Sequence, residues 1–345
     1  MTATTTSPPR LTHLLKDDDL TREQLEHLLD VAAHMKTERA TGAEQQRLVG
    51  RTIAILFEKP STRTRSAFEV GIYDQGGHAT YIDPASSHVG VTETIEDTAI
   101  VLGRLYDGIA FRGYAHTDVE TLARYAGVPV WNGLTDTWHP TQALADLLTM
   151  REHSTKPLDR TAVCFLGDAR DNVAHSLLTA GALIGMDVRI ACPDTLRPDA
   201  DIVQSAGRLA AVSGGRVLVT ADIDLAVAGA DFLYTDVWVS MGEARERWAE
   251  RIPLLRPYRI DQAMLDRTGN PDVKFLHCLP AIHDRNSQLG RELYASFGLD
   301  GAEVADDVFR SAGSVVFDQA ENRMHTIKAV LLDSLNGHQP VLDGA

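Results

Sequence analysis

Cysteine is scarce in this chain: Cys164, Cys192 and Cys278 are the only three in 345 residues. That is too few, and an odd number, for a disulfide-stapled scaffold. Long apolar runs are also missing. The longest uncharged stretch, Asn172–Met186, is interrupted by Asn, His and Ser and falls short of the roughly 20 apolar residues a membrane span needs. The opening MTATTTSPPR has no apolar core like that of a secretory signal, so the expectation is a cytoplasmic chain with reduced thiols and no membrane partner. Basic residues are outnumbered, 33 Lys and Arg against 48 Asp and Glu, for a net charge of -15. Such a chain repels phosphate backbones at long range, which argues against a nucleic-acid partner. An anionic ligand would need a local basic island. Two nucleotide signatures are absent as well. No G-x-x-x-x-G-K-[ST] loop occurs and no G-x-G-x-x-G, since Phe165–Leu166–Gly167–Asp168 supplies a single glycine after its strand. This disfavours a nucleotide-binding oxidoreductase.

What is present reads as an α/β protein. At roughly 100–200 residues per domain, the length suggests two domains, each able to bury a core. Thr21 and Gln24 make a capping box ahead of a helical face at Leu25, Leu28, Leu29 and Ala32. Thr52–Phe57 and 78–83 are strand candidates, with a helical pattern at Ser66–Tyr73 between them. Thr92 can cap a helix carrying Ile95, Ala99, Leu102 and Leu105. Val128–Trp131 reads as a strand, and Pro140 suits the first turn of a helix through Met150. After the polar stretch Arg151–Arg160 the pattern restarts: a strand at Ala162–Leu166, a helix over Asn172–Ile184, and strands at Asp187–Ala191, Asp231–Thr235 and Val273–Leu276. Strands alternating with helices predict two parallel-sheet βαβ domains flanked by helices. The expected division is residues 1–150 and 151–321, with an amphipathic helix over 322–336 packing back on the first domain.

The most informative segment is Phe57–Glu69, where a strand ends and a helix opens on Ser61, Thr62, Arg63, Thr64 and Arg65. A helix N-terminus offers unpaired N–H groups and a positive dipole end. Hydroxyls and guanidinium forks add donors, a combination suited to phosphate. Taken alone, the segment is equally a capped surface helix with solvated arginines. Arg112 after a β-prone run is equally a strand-end arginine, and His139 equally a helix cap. Asn172 and Asp236 follow strand ends, where open α/β sheets bind ligands, but either is also a plain cap or turn residue. Cys278, after an apolar run, has the ordinary character of a buried cysteine. The cysteines form no Cys-x-x-Cys pair, and His277 beside Cys278 is not a zinc ligand set. No metal and no cofactor are expected.

Together with Ser61–Arg65, five further motifs occur in the order and spacing of a known family: Phe111–Gly113, His139–Gln142, Asp236–Gly242, His277–Ala281 and Glu321–Arg323. The chain resembles the aspartate and ornithine carbamoyltransferases over roughly residues 10–335. The S-M-G run at 240–242 and the H-C-L-P run at 277–280 point to the ornithine branch. The resemblance implies carbamoyl transfer from carbamoyl phosphate to the δ-amine of L-ornithine, with lysine or putrescine as alternative acceptors. It implies that Arg112, His139, Asp236 and Cys278 are catalytic. Carbamoyl phosphate would meet Ser61, Thr62, Arg63, Thr64, His88, Arg112, His139, Gln142, Cys278, Leu279 and Arg323. Ornithine would meet Asn172, Asp236, Ser240 and Met241. It also implies a homotrimer in which the loop bearing His88 reaches a neighbour's site. Val91–Glu93 departs from a His-Lys-Glu run common in bacterial members, which bears on the contacts of that loop and not on the reaction class.

Overall fold

The computed structural model describes residues 10–83, 93–239 and 245–336. These fall into two compact units. One comprises the residues up to Leu148 together with those from Glu321 onward, and the other is Thr149–Ala320. Among the described residues, no helix is long and apolar enough to cross a membrane.

The first unit holds four parallel strands, β1 (Thr52–Phe57), β2 (His78–Ile82), β3 (Gly108–Arg112) and β4 (Val130–Leu134), in the order β2-β1-β3-β4. Strand β1 is a continuous apolar run buried from Ile53 to Phe57, as a parallel strand covered on both faces requires. Ala54, Leu56, Ile109, Phe111 and Val130 share a core with Leu102, Val119 and Leu122 from the flanking helices Ile95–Leu105 and His116–Ala126. The strand order reverses direction between β1 and β3, whose register pairs Phe57 with Arg112. A crevice outside the carboxyl ends of such a pair is the standard ligand position in an open α/β sheet.

The helix after β1 starts earlier than its apolar pattern suggests. It spans Thr62–Asp74, with Ser61 in extended backbone and its Oγ accepting from Thr64 N at 3.2 Å. The cap of the Ile95–Leu105 helix is Thr94, which accepts from Asp97 N; Thr92 lies outside the described residues. The strand expected at Val128–Trp131 runs instead over Val130–Leu134, because Pro129 has no N–H to give a ladder. The Thr21–Gln24 capping box is present in full.

A buried ion cluster ties together three segments of this unit. Lys328, fully buried on the helix Val316–Asn336, donates to Glu44 Oε1 at 2.6 Å and Asp74 Oδ2 at 2.7 Å. Removing one partner of such a cluster leaves uncompensated charge, costing about 3–5 kcal/mol, whereas an apolar replacement of the whole cluster is often neutral. Lys328→Met should therefore lower the urea midpoint sharply, and adding Glu44→Gln with Asp74→Asn should restore most of it. Equal midpoints for Lys328→Met and wild type would show the cluster to be energetically idle.

The second unit holds five parallel strands, β5 (Ala162–Leu166), β6 (Asp187–Ala191), β7 (Arg216–Thr220), β8 (Phe232–Thr235) and β9 (Lys274–His277), in the order β7-β6-β5-β8-β9. Here the reversal lies between β5 and β8. The first leads into the helix Asn172–Ile184, buried on nearly every side, and the second into Asp236. Thr235 Oγ1 donates to Leu166 O at 2.7 Å and pins the two strand ends together.

Candidate functional site

In the first unit the carboxyl ends of β1, β3 and β4 present a basic cluster. Arg112, the last residue of β3, places Nη1 at 3.4 Å from Thr64 Oγ1 on the helix after β1. Arg323 reaches the same hydroxyl from the Val316–Asn336 helix, Nη2 donating at 3.0 Å. It also meets Gln142 Oε1, Thr141 Oγ1 at 3.4 Å and His139 Nε2 at 3.4 Å. Arg323 is almost wholly buried, as are Thr64, His139, Thr141 and Gln142. These four partners are neutral groups that solvate the guanidinium. Gln142 is oriented by its own bond from Nε2 to Asp146 Oδ1 at 2.7 Å.

His139 precedes Pro140 at the start of the helix Pro140–His153. Burial, then the charges of Arg323, Arg112 and Arg63, push its imidazole well below the ordinary histidine range. A neutral ring still carries one N–H, so His139 can donate to a carbonyl oxygen without adding charge. The set thus combines fixed positive charge with an uncharged donor, which suits an anion whose adjoining carbonyl gains negative charge. Arg65 points elsewhere: its guanidinium lies over the Tyr81 ring, 3.7 Å from the centroid, and pairs with Glu69.

In the second unit, Asp236 and Cys278 follow β8 and β9. Cys278 Sγ donates to Asp236 Oδ1 at 3.0 Å, and the same oxygen accepts from Val237 N at 2.7 Å. Leu279 stands in the left-handed region at φ 58°. Its N–H donates to His277 Nδ1 at 2.8 Å, while His277 N donates to Gln319 Oε1 at 2.9 Å. Backbone strain of this kind is kept where surrounding bonds over-determine it. The other thiols are chemically quiet: burial pushes Cys164 up to about 12 and Cys192 up to about 11. Cys278 is the one cysteine with partial exposure.

Two groups of described residues bring metal-type donor atoms together, Asp236 with His277 and Cys278, and His283 with Asp284 and Asp306. In the first, His277 Nδ1 is already taken by the Leu279 N–H. In the second, His283 Nδ1 meets Asp306 Oδ1 at 2.6 Å and Arg310 occupies the same carboxylate. Neither presents three uncommitted ligands.

Comparison with known proteins places this geometry. Residues 12–152 match the aspartate/ornithine carbamoyltransferase carbamoyl-P binding domain, and residues 159–333 match the Asp/Orn binding domain of the same enzymes. The chain belongs to the aspartate/ornithine carbamoyltransferase family. It is similar to the ornithine carbamoyltransferase of Pyrococcus furiosus, with 42% identity over 96% of this chain and 100% of that one, at a TM-score of 0.88. The structures of ornithine carbamoyltransferases from Thermus thermophilus (37% identity, TM-score 0.78) and Gloeobacter violaceus (36%, TM-score 0.80) are also similar, each over 95% of this chain and 100% of the other.

As a carbamoyltransferase of this family, the chain has its expected residues distributed as follows. Thr64, Arg112, His139, Gln142 and Arg323 form one connected cluster in the first unit. Ser61 spends its hydroxyl as the helix cap, Thr62 is exposed, and Arg63 lies close enough for its charge to act on His139. Asp236 and Cys278 are in contact in the second unit, where Leu279 also lies. Asn172 is the first residue of its helix, and the cap is Asp171. His88, Ser240 and Met241 lie outside the described residues. Sequence reasoning missed Asp171 and Gln319. The first had a signal, an Asp directly before an apolar helix; the second had none.

Proposed function

We propose that the enzyme transfers the carbamoyl group of carbamoyl phosphate to the δ-amine of L-ornithine, giving L-citrulline and phosphate. The observation that carries the donor half is the neutral His139 held among Arg63, Arg112 and Arg323. On this reading the phosphate is met by the helix N-terminus with Ser61, Thr62, Arg63 and Thr64, joined by His88. The carbonyl oxygen takes donors from Arg112, His139 and Thr64, which strengthen as the oxygen becomes an oxyanion. Gln142 Oε1 accepts from the carbamoyl NH2. Arg323 holds Gln142, His139 and Thr64 in their positions, and Cys278 and Leu279 complete the carbamoyl phosphate set.

The acceptor half rests on Asp236. Its carboxylate accepts from Cys278 Sγ and from Val237 N at the end of β8. An acidic group there receives a cationic amine and repels the second carboxylate that aspartate would bring, so ornithine is favoured within the family. Asn172, Ser240 and Met241 take its α-amino and carboxylate groups. The neutral amine attacks the carbonyl carbon, the C–O bond to phosphate breaks, and the one proton the amine loses ends on the departing phosphate; orientation by both sets of residues supplies much of the acceleration. The reading includes a cytoplasmic homotrimer with the loop 83–90 lent to a neighbour, supported by the family resemblance.

An acceptor panel with carbamoyl phosphate, read out as released phosphate, tests this. L-Ornithine should exceed putrescine and L-lysine in kcat/KM by at least about 100-fold, because a site built for an α-amino acid of this length leaves its own polar groups unpaired with the analogues. Comparable values for putrescine and ornithine would overturn the assignment.

A further inference from the structure

We propose that Asp146 sets the enzyme's preference for carbamoyl phosphate over acetyl phosphate, by fixing which end of the Gln142 amide faces the substrate. The inference rests on the donor reading above, in which Gln142 Oε1 accepts from the carbamoyl NH2. Gln142 and Asp146 lie four residues apart on the helix Pro140–His153 and so share a face. Gln142 Nε2 donates to Asp146 Oδ1 at 2.7 Å, and Gln142 Oε1 accepts from Arg323 Nη1. None of the three residues is more than 3% exposed. Every residue from Pro140 to Met150 is buried, and Asp146 is the one carboxylate among them. A buried carboxylate is costly where an apolar side chain would fill the same place.

The two ends of a glutamine amide are nearly alike in shape and opposite in chemistry, so hydrogen-bond partners, not packing, choose between them. In the orientation present, the NH2 end meets a carboxylate and the oxygen meets a guanidinium. Turning the amide over would set NH2 against Arg323 and oxygen against Asp146, donor to donor and acceptor to acceptor. The amide oxygen has two lone pairs. Arg323 takes one, and the second is left for a donor on the ligand.

Carbamoyl and acetyl phosphate differ in one group, an NH2 in the first and a methyl of similar size in the second. An oxygen held in place binds the NH2 and is left short of a donor by the methyl. A loosened amide that turns its own NH2 toward the ligand repels the carbamoyl NH2 and treats the methyl no worse. Asp146 is therefore a positioning residue that acts through Gln142. What it controls is discrimination between acyl groups, not affinity for phosphate.

Two non-reactive phosphonates test this. Phosphonoacetamide keeps the carbamoyl NH2, and acetonylphosphonate carries a methyl in its place. The ratio of their Kd values on one protein sample is insensitive to partial loss of folded protein and to a general weakening at the phosphate. Wild type should favour phosphonoacetamide by at least about tenfold. Gln142→Ala and Asp146→Leu should each shrink that ratio by about 3- to 10-fold, as expected for one neutral hydrogen bond. Asp146→Leu should add nothing once Gln142 is replaced by alanine. Asp146→Asn, whose oxygen can still accept from Nε2, should stay within about twofold of wild type. Asp146→Ala takes the place of Asp146→Leu if the latter does not fold. An unchanged ratio in the Asp146 variants beside a reduced one in Gln142→Ala would overturn the role of Asp146. So would an equal effect of Asp146→Leu with and without the Gln142 side chain. An unchanged ratio in Gln142→Ala would instead overturn the placement of the carbamoyl NH2 at Gln142, and the proposal with it.

Discussion

Replacing Arg112 by glutamine should weaken binding of a non-reactive phosphonate analogue of carbamoyl phosphate by about 10- to 150-fold. The estimate follows from about 1.5–3 kcal/mol for a lost charge-assisted hydrogen bond. Arg112 ends β3 beside the helix start at Thr62, where the register sets it opposite Phe57, and its Nη1 approaches Thr64 Oγ1. Phosphate binding in a chain of net charge -15 depends on such local charge, because the long-range field opposes it. Arg63→Gln should act in the same direction, and the loss in both variants should shrink as salt screens the surrounding field. Calorimetric titration of the phosphonate reads this directly. Unchanged affinity in both variants would remove the phosphate from this cluster.

Asp236→Asn is expected to have the largest effect on acceptor turnover. It removes the charge that draws the amine and replaces an oxygen that accepts from both Val237 N and Cys278 Sγ. Loss of one charge-assisted bond together with displacement of the amine should lower ornithine kcat/KM by about 100- to 1,000-fold. Phosphonate affinity should fall much less, because Ser61–Thr64, Arg112 and His139 lie in the other unit, while Asp236 contacts the assigned set at Cys278. Cys278→Ser should cost much less, since a hydroxyl keeps the donor to Asp236 but is shorter. If Asp236→Asn weakened phosphonate binding as strongly as ornithine turnover, the division of labour between the two halves would be wrong.

Much of this was legible in the sequence where a local rule applied. The run TIAILF could only be a buried strand once the turn and helix after it were recognised, and the structure has Thr52–Phe57 in that place. The capping box at Thr21 and the first-turn Pro140 are likewise local signals that the fold honours. Strand β7 was not visible, because Arg216–Thr220 is a partly exposed edge with no buried run. The helix Ala200–Ser213 was missed beside it, although its apolar face recurs at Ile202, Ala206 and Ala210. The chemistry was less accessible still. Arg323 and Gln142 are 181 residues apart, and Arg323 and Thr64 are 259 apart, so no periodicity joins them. Only resemblance to a family put them in one set.

The most direct measurement uses carbamoyl phosphate labelled with 13C at the carbonyl and L-ornithine labelled with 15N at the δ-amine. Nuclear magnetic resonance of the product mixture should show a one-bond 13C–15N coupling in citrulline, growing in step with released phosphate. Phosphate release without that coupling, or a coupled product formed from labelled aspartate and not from ornithine, would contradict the account.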